Sequence, residues 1–447
     1  MRRFLASSIG VTCAAVLSVP LALSASPASA APGDLPSDES LPGSTQSIPL
    51  APLGGDRATA SATSATSAIS AAPAAPAVPD QGVTRRGVRT FSLVGVVWDD
   101  PETELRGRVQ VRARATGTAH WSGWQDIETH NQEHAADPDT AERVSGRVRG
   151  STAPLWVGSS DGVELRVRAE IEHRTGVPGD QTLPSGMRLE LVDPGVGNEP
   201  PPGGSPVDAS GLGPLTAGAA AASAVNADLA PLGAFEIPAS TRDVEEEGAP
   251  RPSIVTRRGW GADEQLRERE FLYTKRVDAA FVHHTASGNN YTCAQAPSLI
   301  RGIYRYHVVS SGWRDIGYNF LIDKCGTVYE GRAGGVAKPV MGAHTLGFNS
   351  NTMGVAVLGS FGTVKPPAAA ITGIAKLSAW KLGLYGADAN GKTYLTSGGG
   401  NLYPKGKKVR LNTISGHRDG FATECPGRSL YSMLGTVRSQ AARYQGK

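Results

Sequence analysis

Past its first thirty residues the sequence has no apolar run approaching twenty residues, so no transmembrane helix is expected in that part. Charge of one sign is missing too. Lys and Arg total 44 against 41 Asp and Glu, a net +3, too mild and too evenly spread to argue for a nucleic-acid partner. Aromatic residues make up only 6% of the 447. What is abundant is glycine, 55, and proline, 31. They cluster, so part of the chain is expected to lie outside any packed core.

The N-terminus reads as an export signal over residues 1–30. Arg2 and Arg3 precede an apolar stretch from Phe4 to Leu23, and Ala28-Ser29-Ala30 supplies the small residues of a cleavage site. Of four cysteines, Cys13 would leave with that segment, and Cys293, Cys325 and Cys425 would remain. An odd number in an exported chain leaves one thiol for another task. Cys293 and Cys325 flank one helix–strand unit and are the expected disulfide, stabilising by about 3 kcal/mol in the chain-entropy model. Cys425 is then free to act as a thiolate ligand.

Composition divides the rest. Residues 31–85 are rich in Ala, Ser, Thr and Pro and are expected to be disordered. Residues 86–195 carry short β-type runs, Phe91–Trp98, Arg108–Arg114, Glu164–Arg168 and Leu189–Val192, with polar turns between, which suggests a small β-sandwich. Within this block His130 and His134 have a ligand-like spacing, but the surrounding Asn, Gln, Asp and Pro point to a solvated loop. Residues 196–252 return to Gly, Pro and Ala and read as a linker. From residue 253 to 447 strands alternate with helical patterns, giving an α/β domain with a mixed central sheet flanked by helices.

Two places in that last block carry chemistry. Val277 to Thr285 reads as a buried strand ending in His283-His284, and alternation lets only one of the pair face a given site. Downstream come Ser415-Gly416-His417-Arg418-Asp419 and Thr423-Glu424-Cys425-Pro426-Gly427. Two imidazoles and a thiolate meet the three-ligand count of a catalytic zinc site that keeps its fourth position open. A zinc ion there would acidify water to a pKa near about 7 beside an amide carbonyl.

These segments fall in a wider pattern. Arg257-Arg258-Gly259-Trp260-Gly261-Ala262, Val282-His283-His284-Thr285-Ala286, Gly312 through Ile322, Gly342-Ala343-His344-Thr345, Phe348-Asn349-Ser350 and Gly416 through Gly427 occur in one order across residues 254–445. Together they resemble the peptidoglycan recognition protein family, which shares its fold with the phage lysozyme-type N-acetylmuramoyl-L-alanine amidases. The resemblance implies a zinc hydrolase that cuts the amide between N-acetylmuramic acid and L-alanine of peptidoglycan, exported, associated with cell wall and acting as a monomer.

It also implies roles by position. His283, His417 and Cys425 would hold the metal, and Tyr318 would act in catalysis. Thr423 stands where phage members carry a lysine, as is usual in the recognition-protein branch, and offers a hydroxyl rather than a charge. His344 and Asn349 are expected to contact substrate. His307, on a helix face, is expected in the core or as a groove wall that touches substrate, and His284 in a structural hydrogen bond. The alternatives are a non-catalytic peptidoglycan receptor, which in this family loses the cysteine ligand, and a cell-wall adhesin centred on the β-rich region.

Overall fold

The computed structural model describes residues 43–53, 80–170, 183–195 and 248–447. The expected export signal and most of the expected linker lie outside these residues. Among the described residues no helix is long and apolar enough to cross a membrane.

Among the described residues nine strands form the N-terminal sheet: β1 (Ser44–Pro49), β2 (Ala51–Pro52), β3 (Gln81–Arg85), β4 (Phe91–Trp98), β5 (Gly107–Ala115), β6 (Gln125–Ile127), β7 (Gly150–Ser151), β8 (Leu155–Ala169) and β9 (Arg188–Asp193). The 15-residue β8 pairs with β4 through its first half and with β3 and β5 through its second, so two leaves share one strand. Between them lies a core that includes Phe91, Val94, Val109, Val111, Val163, Leu165, Leu189 and Leu191. Alternation explains it: Val109 and Val111 are fully buried while Arg108 and Arg112 ion-pair outside with Asp126 and Glu164.

The expectation of disorder across 31–85 is corrected at Ser44–Pro49 and at Gln81–Arg85. Ser44–Pro49 pairs antiparallel with β9, Ser44 opposite Asp193 and Pro49 opposite Arg188, and Gln81–Arg85 pairs with β8. A composition poor in large apolar side chains cannot build a core, but it can still add a hydrogen-bonded ladder to an existing one. Ile48 and Leu50 then pack against that core.

The C-terminal domain is built on a mixed six-stranded sheet of β10 (Ile254–Val255), β11 (Ala279–His284), β12 (Phe320–Ile322), β13 (Val328–Glu330), β14 (Thr352–Val357) and β17 (Ile414–Gly416). Its order is β10-β13-β12-β14-β11-β17, parallel except between β12 and β13. A separate ribbon pairs β15 (Lys392–Thr396) with β16 (Lys408–Asn412). Helices cover both faces. Ala368–Gly383 and Leu434–Tyr444 pack on Ala280, Val282, Phe320, Ile322, Val355 and Val357. Ala296–Arg305 packs on Leu321 and Ala356 across the sheet.

Helix Ala296–Arg305 starts where the Thr292 amide donates to Gln295 Oε1 at 2.8 Å and Pro297 fills the first turn. Its buried Leu299, Ile300 and Ile303 contribute about 1.5–3 kcal/mol each. It runs on into a π-helical turn, Tyr306–Ser310. The Cys293–Cys325 disulfide ties the start of this unit to the turn between β12 and β13. The same helix faces Leu93, Val97, Trp156 and Val192 of the N-terminal sheet, so one apolar core spans both domains. Gly95 permits the close approach, since a side chain there would run into the Tyr306 ring.

Lys381, on helix Ala368–Gly383, is 2% exposed and donates to the Lys338 and Val336 carbonyls. Burial pushes its pKa down to about 7 from 10.5. Between pH 7 and 10 the folded chain therefore binds fewer protons here than the unfolded chain, and this position's contribution to stability rises with pH. Lys381→Met should be more stable than wild type at pH 7, and the gap should narrow by pH 10 in paired urea melts. A gap that stays constant would contradict the assignment.

Candidate metal centre

Three of the sequence-predicted residues converge at the ends of the central strands. His283 is the fifth residue of β11 and points to the same side as Phe281, whose ring lies 6.2 Å from that of His344. His417 opens the turn that follows β17, β11's parallel neighbour. Cys425 is brought in by its own main chain: its amide donates to Thr423 Oγ1 at 3.1 Å, and its carbonyl accepts from the Arg418 amide at 3.0 Å. The two segments that carry His417 and Cys425 are thus stitched together. The His283 and His417 rings are 4.6 Å apart, and Cys425 Sγ is 3.8 Å from His283 Nδ1.

A fourth residue joins them that the sequence placed elsewhere. His134, in the loop between β6 and β7, puts Nε2 3.5 Å from Cys425 Sγ and its ring 4.5 Å from that of His417. One ligand atom from each of His134, His283, His417 and Cys425 lies within 4.8 Å of all the others, and all four residues are buried. The expectation that this loop is solvated holds for His130, whose side chain is 60% exposed beside Glu104. It fails for His134, which is 5% exposed, because the loop is buried by the other domain.

The donor set fits a borderline-soft divalent ion. His417 is completely enclosed, yet neither ring nitrogen has a hydrogen-bond partner, and Nδ1 of His134 has none. The Glu133 main chain comes close to His417 without reaching hydrogen-bond geometry. Buried polar atoms left in this state are costly unless something else binds them. Burial, then the neighbouring His417, holds His283 well below its ordinary range, and burial does the same to His417. Both imidazoles are therefore neutral, as ligands must be. Burial, with a further push from the Glu133 carboxylate, drives the Cys425 thiol up, so a thiolate there requires a cation beside it.

The surrounding residues set the orientation. His344 was expected to touch substrate, but its ring is fully enclosed, with Nδ1 3.2 Å from His283 Nε2 and 3.0 Å from Thr345 Oγ1. It fixes the far nitrogen of His283 and leaves Nδ1 for the centre. His307, also expected at the substrate, is 2% exposed; its ring lies against Trp313, 4.4 Å away, and Nδ1 accepts from the Gly317 amide. Its role here is to hold the turn that carries Tyr318. Asn349, also expected to contact substrate, is 1% exposed. Its Oδ1 accepts from the His344 and Thr345 amides while Nδ2 donates to Ala135 O and Asp137 Oδ1 of the loop. Thr423 Oγ1 donates to Glu133 Oε1 at 2.7 Å. His284 turns away and accepts from the Phe361 amide at 3.3 Å. Tyr318 is 4% exposed, its ring 5.6 Å from that of His283, and burial raises its phenol, which stays protonated as a donor.

Gly354, opposite Phe281 in the β11–β14 ladder, leaves room for the His344 ring, into which a methyl group would run. Gly354→Ala should displace His344 and loosen His283. We expect metal affinity to fall about 10–100-fold with the fold retained, measured by competition with a chromophoric chelator. An unchanged affinity would show that His344 does not orient the ligand.

Comparison with known proteins places matches on both domains. Residues 39–187 match a family described as Rv3811 N-terminal galactose-binding domain-like, and residues 273–428 match the N-acetylmuramoyl-L-alanine amidase family. The chain is 32% identical over 184 residues to peptidoglycan-recognition protein SC2 of Drosophila simulans, covering 41% of this chain and 85% of that one. It is 31% identical over 205 residues to the human N-acetylmuramoyl-L-alanine amidase, 44% of this chain and 30% of that protein. Among solved structures, peptidoglycan recognition protein-LE in complex with tracheal cytotoxin aligns with 41% of this chain and 92% of its own, at 30% identity and a TM-score of 0.33.

Proposed function

We propose, from the premise that the chain belongs to the peptidoglycan recognition protein and N-acetylmuramoyl-L-alanine amidase family, that it is an exported zinc amidase cleaving the bond between N-acetylmuramic acid and L-alanine of peptidoglycan. The observation that carries this reading is the enclosed His283, His417 and Cys425 set, with both nitrogens of His417 unpaired. A pure receptor needs no such cluster. The Cys293–Cys325 disulfide fits an oxidising compartment.

Zinc held by His283, His417 and Cys425 would supply Lewis acidity for the scissile carbonyl and for the attacking water. The remaining work falls to the chain. His344 keeps His283 in one tautomer and orientation. The Tyr318 hydroxyl, kept protonated by burial, donates to the oxygen on which negative charge develops. The Thr423 hydroxyl, which here donates to Glu133, would offer a second hydrogen bond without a charge once released from it. Asn349 would bind the peptide stem through the amide that here donates to Ala135 and Asp137.

The test is the mass of the products from a defined muropeptide. Intact glycan and a stem peptide with a free L-alanine amine support the reading. Cleavage within the glycan or the stem, or binding with no cleavage by any metal-loaded form of the chain, would overturn it.

A further inference from the structure

The fourth member of the cluster comes from the N-terminal domain, and it does not come alone. Residues 128–149 connect β6 to β7 without helix or strand, longer than the roughly 15 residues beyond which structureless connections are usually functional. The segment is polar, yet Asn131, Glu133, His134 and Glu142 are all buried. Each of its acidic side chains that enters the groove takes a donor of the C-terminal domain. Glu133 takes Thr423. Asp137 accepts from the Gly347 amide and the Asn349 side chain at 2.8 and 2.7 Å. Glu142 makes a two-point ion pair with Arg332 at 2.8 and 2.9 Å and accepts from the Arg314 amide. His134 lies between Cys425 and His417, with Nε2 toward the sulfur.

We propose that this loop is a built-in cap: His134 is a fourth protein ligand of the metal, and the full-length chain is a latent form that opens when residues 128–149 withdraw. The ligation stands on the geometry of the four side chains; what the cap holds off rests on the amidase reading. A metal with four protein ligands has a closed, structural-type site, whereas a hydrolytic one keeps a position free. Tyr318 and Thr423, the residues assigned to the reaction, are covered by the same loop.

The two contacts between the domains differ in kind. The one at helix Ala296–Arg305 is apolar, through Leu93, Val97, Trp156 and Val192, and resembles a permanent core. The one at the loop consists of carboxylates, an imidazole and main-chain groups. A polar contact of that sort loses little in water and is the kind that forms reversibly. The loop can therefore leave while the domains stay joined.

The experiment uses the full-length chain with cobalt(II) in place of zinc, azide as the probe of an open coordination position, and a defined muropeptide as substrate. Azide should leave the visible spectrum of the wild type unchanged and shift that of His134→Ala. If under a tenth of wild type is open, His134→Ala should also hydrolyse the muropeptide at least about tenfold faster. Glu142→Gln, remote from the metal, weakens the pairing with Arg332 and should move the wild type part of the way. X-ray absorption of the zinc-loaded wild type, which needs no variant, should show three imidazoles and one sulfur. Wild-type protein that binds azide as readily as the variants, or that shows only two imidazoles, would overturn the cap. Variants that bind azide and never hydrolyse would leave the cap standing and sink the amidase reading instead.

Discussion

Cys425→Ser, made in the His134→Ala background, should lose both its metal and its hydrolysis. The background matters because wild type would keep three imidazoles around the ion, whereas the double variant keeps two. Apparent binding free energies of about 10–16 kcal/mol shared among three or four ligands assign each about 3 kcal/mol, so affinity should fall at least about 100-fold. Serine is nearly isosteric, and the main-chain contacts of residue 425 with Thr423 and Arg418 do not involve the sulfur, so the fold should survive. Zinc content after dialysis and product mass are the measurements. A double variant that keeps stoichiometric zinc, or that cuts without it, would show that the thiolate is not a ligand.

Tyr318→Phe carries the second large effect. The ring packs beside His283, His134 and His307, and phenylalanine preserves that packing. Only the hydroxyl is lost. Removing one donor to a developing oxyanion costs about 10²–10³ in kcat. KM and zinc affinity should remain close to those of the parent, because the phenol contributes in the transition state and is not a ligand. In the His134→Ala background, a drop confined to kcat supports the assignment. A loss of zinc, or a KM effect alone, would make Tyr318 a packing or binding residue.

The parts of the fold that could be read in the sequence are those whose pattern is local. Arg108–Arg114 shows its period because one face is wet and the other dry, and Gly354–Val357 of β14 shows as an apolar run because both faces are covered. Only Glu164–Arg168 of β8 was legible, since Gly158, Ser159 and Asp161 interrupt the pattern where the strand passes between leaves. β1 was not legible at all. Ser44–Pro49 holds one large apolar residue, and its partner is β9, more than a hundred residues away, so nothing nearby in the sequence announces the ladder.

The candidate site divides in the same way. His283, His417 and Cys425 lie on segments whose order and neighbours carry the family resemblance. His134 lies on a segment with no such pattern, and its burial is made by another domain. The usable signal was the length of polar chain between β6 and β7, together with a histidine that its neighbours did not require. The orientation of His344 was not legible for a related reason. Its place in a groove-lining stretch suggested contact with substrate, but its ring faces inward to His283, and the direction of a side chain on a loop is set by tertiary contacts.

The most direct test of the account is the mass of the products released from a defined muropeptide by zinc-loaded His134→Ala. The account predicts intact N-acetylmuramic acid glycan and a stem peptide that begins with a free L-alanine amine. Unchanged muropeptide, from a variant whose cobalt form binds azide, would contradict it, as would cleavage at any other bond.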